Sequence, residues 1–161
     1  MRTIPLLLSL VLLAMRASAA EPWPERYKHV KVVFDVVGRE TLPKSVFDLL
    51  LANDPDAQIP DRPRIVHLDL TSDGQNELIL EYRHSPGTDP SPQFAIFQKK
   101  EQKFSYLGHF PGEFHVCRSG NNYCQLETWQ ELFPGHWNRY LFRFQHGRFR
   151  SVRDEAHDKR F

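Results

Sequence analysis

The sequence predicts a mainly β, antiparallel domain: two four-stranded, propeller-blade-like units preceded by one N-terminal helix. Three observations carry this. From Arg64 onward, short runs of alternating apolar and polar residues recur between turn signals. Before that point, one stretch places its apolar residues at helical spacing. Finally, the strand-patterned region nearly repeats itself at an offset of 46 residues.

The elements follow in order. Val30, Val32, Phe34 and Val36 alternate with their neighbours and predict one strand, which Gly38 ends. Pro43 suits the first turn of a helix within 41–53, where Val46, Phe47, Leu50 and Leu51 recur at three and four. Asn53-Asp54-Pro55 stops it, and the Pro- and Asp-rich stretch 54–63 reads as a loop. Strands are then predicted at 65–70, 77–82, 93–98, 103–107, 113–117, 123–129, 138–144 and 148–152. HSPGTDPSP (84–92) has the composition of an exposed loop, and the charged tail 154–161 that of a frayed end.

Setting Gly74 over Gly120 aligns DGQNELILEY (73–82) with SGNNYCQLET (119–128), and puts Phe94 and Ile96 over Tyr140 and Phe142. A unit of 40–50 residues with four strands is the size of a propeller blade, which places the two units at about 64–108 and 112–153. Two blades cannot close a propeller. They can form one long meander, or two sheets packed face to face and buttressed by the helix.

The N-terminus has the three parts of a secretory signal: Arg2, an apolar run over 4–15, and Ala17-Ser18-Ala19. That run falls short of the roughly 20 residues a spanning helix needs. Residues 1–19 are therefore expected to be removed, leaving 20–161 as a single periplasmic or secreted domain without a membrane anchor. Cleavage takes away Arg2 and Arg16 and no acid, moving the formal charge from +1 to about −1. A near-neutral chain lacks the broad basic footprint of a nucleic-acid binder. In an oxidising compartment Cys117 and Cys124 read as a local disulfide, since a zinc site would want four ligands and only His115 is near.

The stretch Asp69-Leu70-Thr71-Ser72-Asp73-Gly74-Gln75-Asn76-Glu77 carries the one chemical motif. Oxygen-bearing side chains stand at loop positions 1, 3, 5 and 9, with glycine at 6. Calcium takes six to eight oxygens, so Asp69, Thr71, Asp73 and Glu77, with the Gln75 carbonyl, form a candidate structural site. The metal-free alternative is a hairpin shaped by Asp and Ser side chains bonding to nearby backbone. DLTSDGQNELIL resembles the loop core of FG-GAP and VCBS-type repeats, D-x-[DN]-x-D-G-x-x-[DE] followed by aliphatics. That resemblance implies calcium bound in an extracellular β blade. Thr71 departs from the pattern, and the offset puts His115, Cys117, Ser119 and Tyr123 where the ligands would stand in the second unit.

No catalytic constellation stands out. Eight histidines show neither H-x-x-x-H nor H-E-x-x-H spacing, and no serine sits in a G-x-S-x-G elbow. Glu77 and Glu81, four apart on one strand, would lie about 13 Å apart, beyond the roughly 5–9.5 Å of glycosidase pairs. Aromatics crowd the last third, where alternate ones must fill the core. Those between strands, Trp129, Phe133, His136 and Trp137, are candidates for an exposed recognition patch toward a protein or glycan. The expected function is non-catalytic binding, and the resemblance extends to inhibitors or immunity proteins of cell-wall hydrolases. Such an inhibitor would offer a protruding loop, with 84–92 and 131–137 the candidates. A carbohydrate-active enzyme and a structural envelope component are the alternatives.

Overall fold

The computed structural model describes residues 28–30, 32–85, 91–119 and 123–157, with side chains over 32–85, 91–116 and 126–152. The expected signal segment and the central part of the 84–92 loop lie outside these residues. In chain order the elements are β1 (Lys28–Val30), β2 (Asp35–Val36), a 3-10 turn (Arg39–Thr41), α1 (Lys44–Asn53), β3 (Ala57–Gln58), β4 (Arg64–Leu68) and β5 (Glu77–His84). There follow β6 (Gln93–Lys100), β7 (Lys103–Pro111), β8 (Glu113–Ser119), β9 (Tyr123–Phe133), β10 (His136–Gln145) and β11 (Arg148–His157).

These strands make two antiparallel sheets. One runs β2-β4-β5-β6-β7, with β3 also on β5, and the other runs β1-β8-β9-β10-β11. Each contains a four-stranded meander, β4 to β7 or β8 to β11, closed by hairpins. The 46-residue offset therefore coincides with a repeated chain path.

The sheets pack face to face, and α1 covers the far side of the first. Strand alternation assigns the faces. Leu78, Leu80, Tyr82, Ala95 and Phe97 pack with Val46 and Leu50 of α1 in one core. Their neighbours Ile79, Phe94 and Ile96 meet Phe114, Val116, Leu126 and Phe149 of the second sheet in another. Double-sided burial is why LILEY and FAIF read as nearly continuous apolar runs. Phe110 of β7 joins the sheets, its ring centroid 4.4 Å from that of Phe142 and 5.8 Å from that of Phe149. The chain crosses between sheets at Gly112 (φ +88°), where an added Cβ would lie 1.9 Å from the Trp129 carbonyl oxygen. Gly112→Ala is expected to cost at least about 2 kcal/mol, combining backbone strain with that clash, as thermal melting would report.

Three expectations change. The predicted strand through 30–36 is split: β1 pairs with β8 and β2 with β4, so the chain passes from one sheet to the other there. Phe34 serves that crossing, lying 5.5 Å from Phe94 and 6.3 Å from Phe114. The predicted turn over 129–137 is only Pro134-Gly135, because β9 and β10 extend through it. The last strand, predicted to end at 152, stays paired with β10 as far as His157.

Candidate functional site

Three places gather polar or exposed groups. The first is the 69–77 loop joining β4 to β5. Ser72 (φ 58°) and Gly74 (φ 83°) both adopt left-handed backbone, which makes the reversal tight. Asp69 accepts the Asp73 and Gly74 amides at 3.2 and 3.1 Å, and Asp73 Oδ1 accepts the Gln75 amide at 2.9 Å. Glu77 is fully buried at the base of the loop. Its Oε2 accepts the Leu70 and Thr71 amides at 2.7 and 3.1 Å, while Oε1 accepts the Thr71 hydroxyl at 3.2 Å.

Sequence reasoning missed one member. Gln98 of β6, also buried, donates its amide nitrogen to Asp73 Oδ2 at 2.8 Å and to Glu77 Oε1 at 3.3 Å. This neutral donor bridges two carboxylates as a cation would. Burial pushes the Glu77 carboxyl up, against the backbone and hydroxyl donors that lower it, and the nearby Asp73 charge pushes it further. Among the described residues, no three His, Cys, Asp or Glu side chains converge as metal ligands. Asp69 faces backbone amides, while Asp73 and Glu77 share Gln98.

The second place is the β9–β10 hairpin. Its tip is clamped by the Gly135 amide donating to Glu131 Oε1 at 3.1 Å, with Gly135 at φ 81°. Leu132 and Phe133 are 52% and 56% exposed. The Phe133 ring lies 4.0 Å from the His136 ring, centroid to centroid. Trp129 is not part of an exposed patch, which corrects the sequence expectation. It is only 8% exposed on the outer face of the second sheet, where its indole nitrogen donates to Glu127 and the Arg139 guanidinium lies 5.1 Å over its ring. Arg139 also donates to Glu127 at 3.0 Å. Trp137 is half-buried beside the tip, so of the four predicted patch residues the structure joins Phe133 and His136.

The third place was not anticipated at all. Asp54, which ends α1, is buried, and its Oδ2 accepts the Tyr82 hydroxyl at 2.5 Å and His84 Nε2 at 2.8 Å. On β7, the Tyr106 hydroxyl lies 2.5 Å from His109 Nδ1. Burial works to raise the Asp54 carboxyl, but the Tyr82 and His84 hydrogen bonds and the charges of His84 and His109 carry it below its ordinary range. Burial and the adjacent Asp54 push both tyrosines upward. The available sequence signal was that Tyr82 and His84 stand two apart on one strand, and hence on one face.

Backbone register pairs Cys117 with Gln125 and Arg118 with Cys124. The two cysteines thus occupy adjacent rungs, and their side chains lie outside the described residues. No helix among the described residues is long and apolar enough to cross a membrane. No family model matches the chain, and neither the curated proteins nor the solved structures give a match.

Proposed function

We propose that the chain is an exported, non-catalytic binding protein that presents the β9–β10 tip to the cleft of a protein partner, a lysozyme-like cell-wall hydrolase. One observation carries this reading: Leu132 and Phe133 stand exposed at the end of two long paired strands, while the core phenylalanines are buried. A two-residue turn clamped by Glu131 holds them in place, so little ordering entropy is lost on docking. An aromatic and an aliphatic anchor on a rigid projection suit a concave site. The test is lysis of peptidoglycan by a panel of lysozyme-type enzymes with the protein added at stoichiometric excess. Inhibition of at least one enzyme is expected, and undiminished lysis across the panel would reject the hydrolase partner.

The blade-like character of the two meanders and an oxidised Cys117–Cys124 pair belong to the same proposal. A direct cross-strand bond between these cysteines would require the β8–β9 end to shift register by one residue. Calcium belongs to it as well. Asp69, Thr71, Asp73 and Glu77, with the Gln75 carbonyl, supply the hard oxygens, and the ion would fix the connection rather than react. The carboxylate oxygens accept from loop amides and from Gln98, so binding the ion would require those hydrogen bonds to give way.

This has a pH signature. Without the ion, the raised Glu77 pKa means the folded chain holds its proton more tightly than the unfolded one. That stabilisation is present below the ordinary glutamate value and is lost as pH rises through the raised folded value. A cation beside Glu77 opposes that shift. Millimolar calcium is therefore expected to raise the melting temperature relative to chelator, and more so at neutral than at acid pH. Equal melting temperatures with calcium and with chelator would remove calcium from the account.

The enzymatic alternative has one observation in its favour, the His84–Asp54 pair. Turnover on a glycan or peptidoglycan panel, abolished by His84→Gln with folding intact, would select it.

A further inference from the structure

We propose that the outer corner of the five-stranded sheet, where β10 turns into β11, binds the carboxylates of an acidic glycan. Phe142, Phe144 and Phe149 pack into the inter-sheet core, and strand alternation therefore puts Arg143, Arg148 and Arg150 on the opposite, outer face. Backbone register sets Arg143 directly across from Arg150, Gln145 across from Arg148, and Leu141 across from Arg153. Four arginine positions thus fall within one corner.

Arg143 has interactions of its own, and the row it shares with Arg150 continues to Gln125. In the next row, Glu127 is already engaged by Arg139 and Trp129. The Arg148 and Arg150 side chains are exposed and make no hydrogen bond or ion pair among the described residues. A ligand bringing negative charge to this corner meets Arg148 and Arg150 without competing with a partner at those two side chains.

The spacing and surroundings select the kind of ligand. Cross-strand neighbours lie about 5 Å apart and same-face neighbours along a strand about 6.6 Å apart. Planar guanidinium forks at that spacing suit bidentate contact with carboxylates carried at intervals on an extended chain. The basic area is one corner of a chain whose formal charge is +1, too small a footprint for a densely charged phosphate polymer. Val152 is the one large apolar residue exposed among the described residues of this strand, which gives a bilayer little to hold.

Affinity electrophoresis through gels containing polygalacturonate, with neutral dextran as control, tests the proposal. The purified protein should be retarded by polygalacturonate at low salt, less so at high salt, and not by dextran. Arg148→Glu/Arg150→Glu should weaken retention about tenfold or more, the order expected from losing two charge-assisted contacts. Arg148→Lys/Arg150→Lys, which keeps the charge and loses the fork, should fall between. Melting curves check that the variants fold, and Arg148→Gln/Arg150→Gln replaces any that does not. Phe133→Ala should be retarded like the unaltered protein, which separates this face from the hairpin tip. Equal mobility in the two gels, or full retention by the folded charge-reversed variant, would overturn the proposal. So would retention by inorganic polyphosphate or anionic phosphatidylglycerol vesicles without retention by polygalacturonate.

Discussion

Phe110→Ala is expected to lower stability by about 3–5 kcal/mol and to loosen the two sheets from each other. Phe110 is 2% exposed and meets Phe142 and Phe149, both from the opposite sheet, in edge-on geometry. Removing its ring opens a void lined from both layers, and the cost combines lost transfer energy with the cavity left behind. The sheets are stiff, so collapse around the void is limited. Phe104→Ala on the same strand is the comparison. Phe104 is only partly buried, against the helix-side core, and should cost clearly less. Chemical denaturation of both variants checks the ranking. Equal losses would mean that the inter-sheet core does not dominate stability.

Asp54→Ala has the second large expected effect, about 2–4 kcal/mol, because it leaves the buried Tyr82 hydroxyl and the half-buried His84 ring without their acceptor. Asp54 also holds the end of α1 against β3, its amide donating to the Leu50 carbonyl and its carbonyl accepting the Ala57 amide. Tyr82→Phe, which removes one donor and leaves the carboxylate to His84, should cost about 1–2 kcal/mol. The pH dependence follows from the depressed Asp54 pKa. Its stabilisation is complete above the ordinary aspartate value and is lost as pH falls through the lower folded value. Glu77 acts in the opposite sense, so each is best read by difference. In Asp54→Asn the loss of stability on acidification below the ordinary aspartate range should be smaller than in the unaltered chain. Parallel pH profiles would remove Asp54 from the acid response.

Much of the fold was legible because it depends on period and punctuation. The eight strands after Arg64 announce themselves by alternation between turns, and α1 by Val46 and Leu50 at helical spacing, both of which the structure buries. What failed was local pattern shared between different partners. Val30 to Val36 alternates like one strand, yet two short strands and a crossing use that alternation in different sheets. The stretch around Pro134 looks like a long turn by composition, but strand pairing extends almost to the proline.

The sites show the same division. The Asp69–Glu77 loop was visible because its ligand-like residues are contiguous. Gln98 belongs to it only through the β5–β6 pairing, and no spacing in the loop announces it. The Asp54, Tyr82 and His84 cluster was invisible for the same reason, since its members are separated by 28 and 30 residues and meet only when α1 docks on the sheet. Trp129 misled because an aromatic near a proline–glycine turn suggests exposure, whereas Arg139 and Glu127 enclose it.

Binding of the partner at the β9–β10 tip is tested most directly by the affinity of tip variants for a hydrolase the protein inhibits. Leu132→Ala and Phe133→Ala, measured by calorimetric titration, should each weaken binding by about 2 kcal/mol, roughly thirtyfold, as expected of central anchors. Because both side chains are more than half exposed in the free protein, melting temperatures should barely move. Unchanged affinity in the double variant, with inhibition intact, would contradict the account and move the binding surface elsewhere.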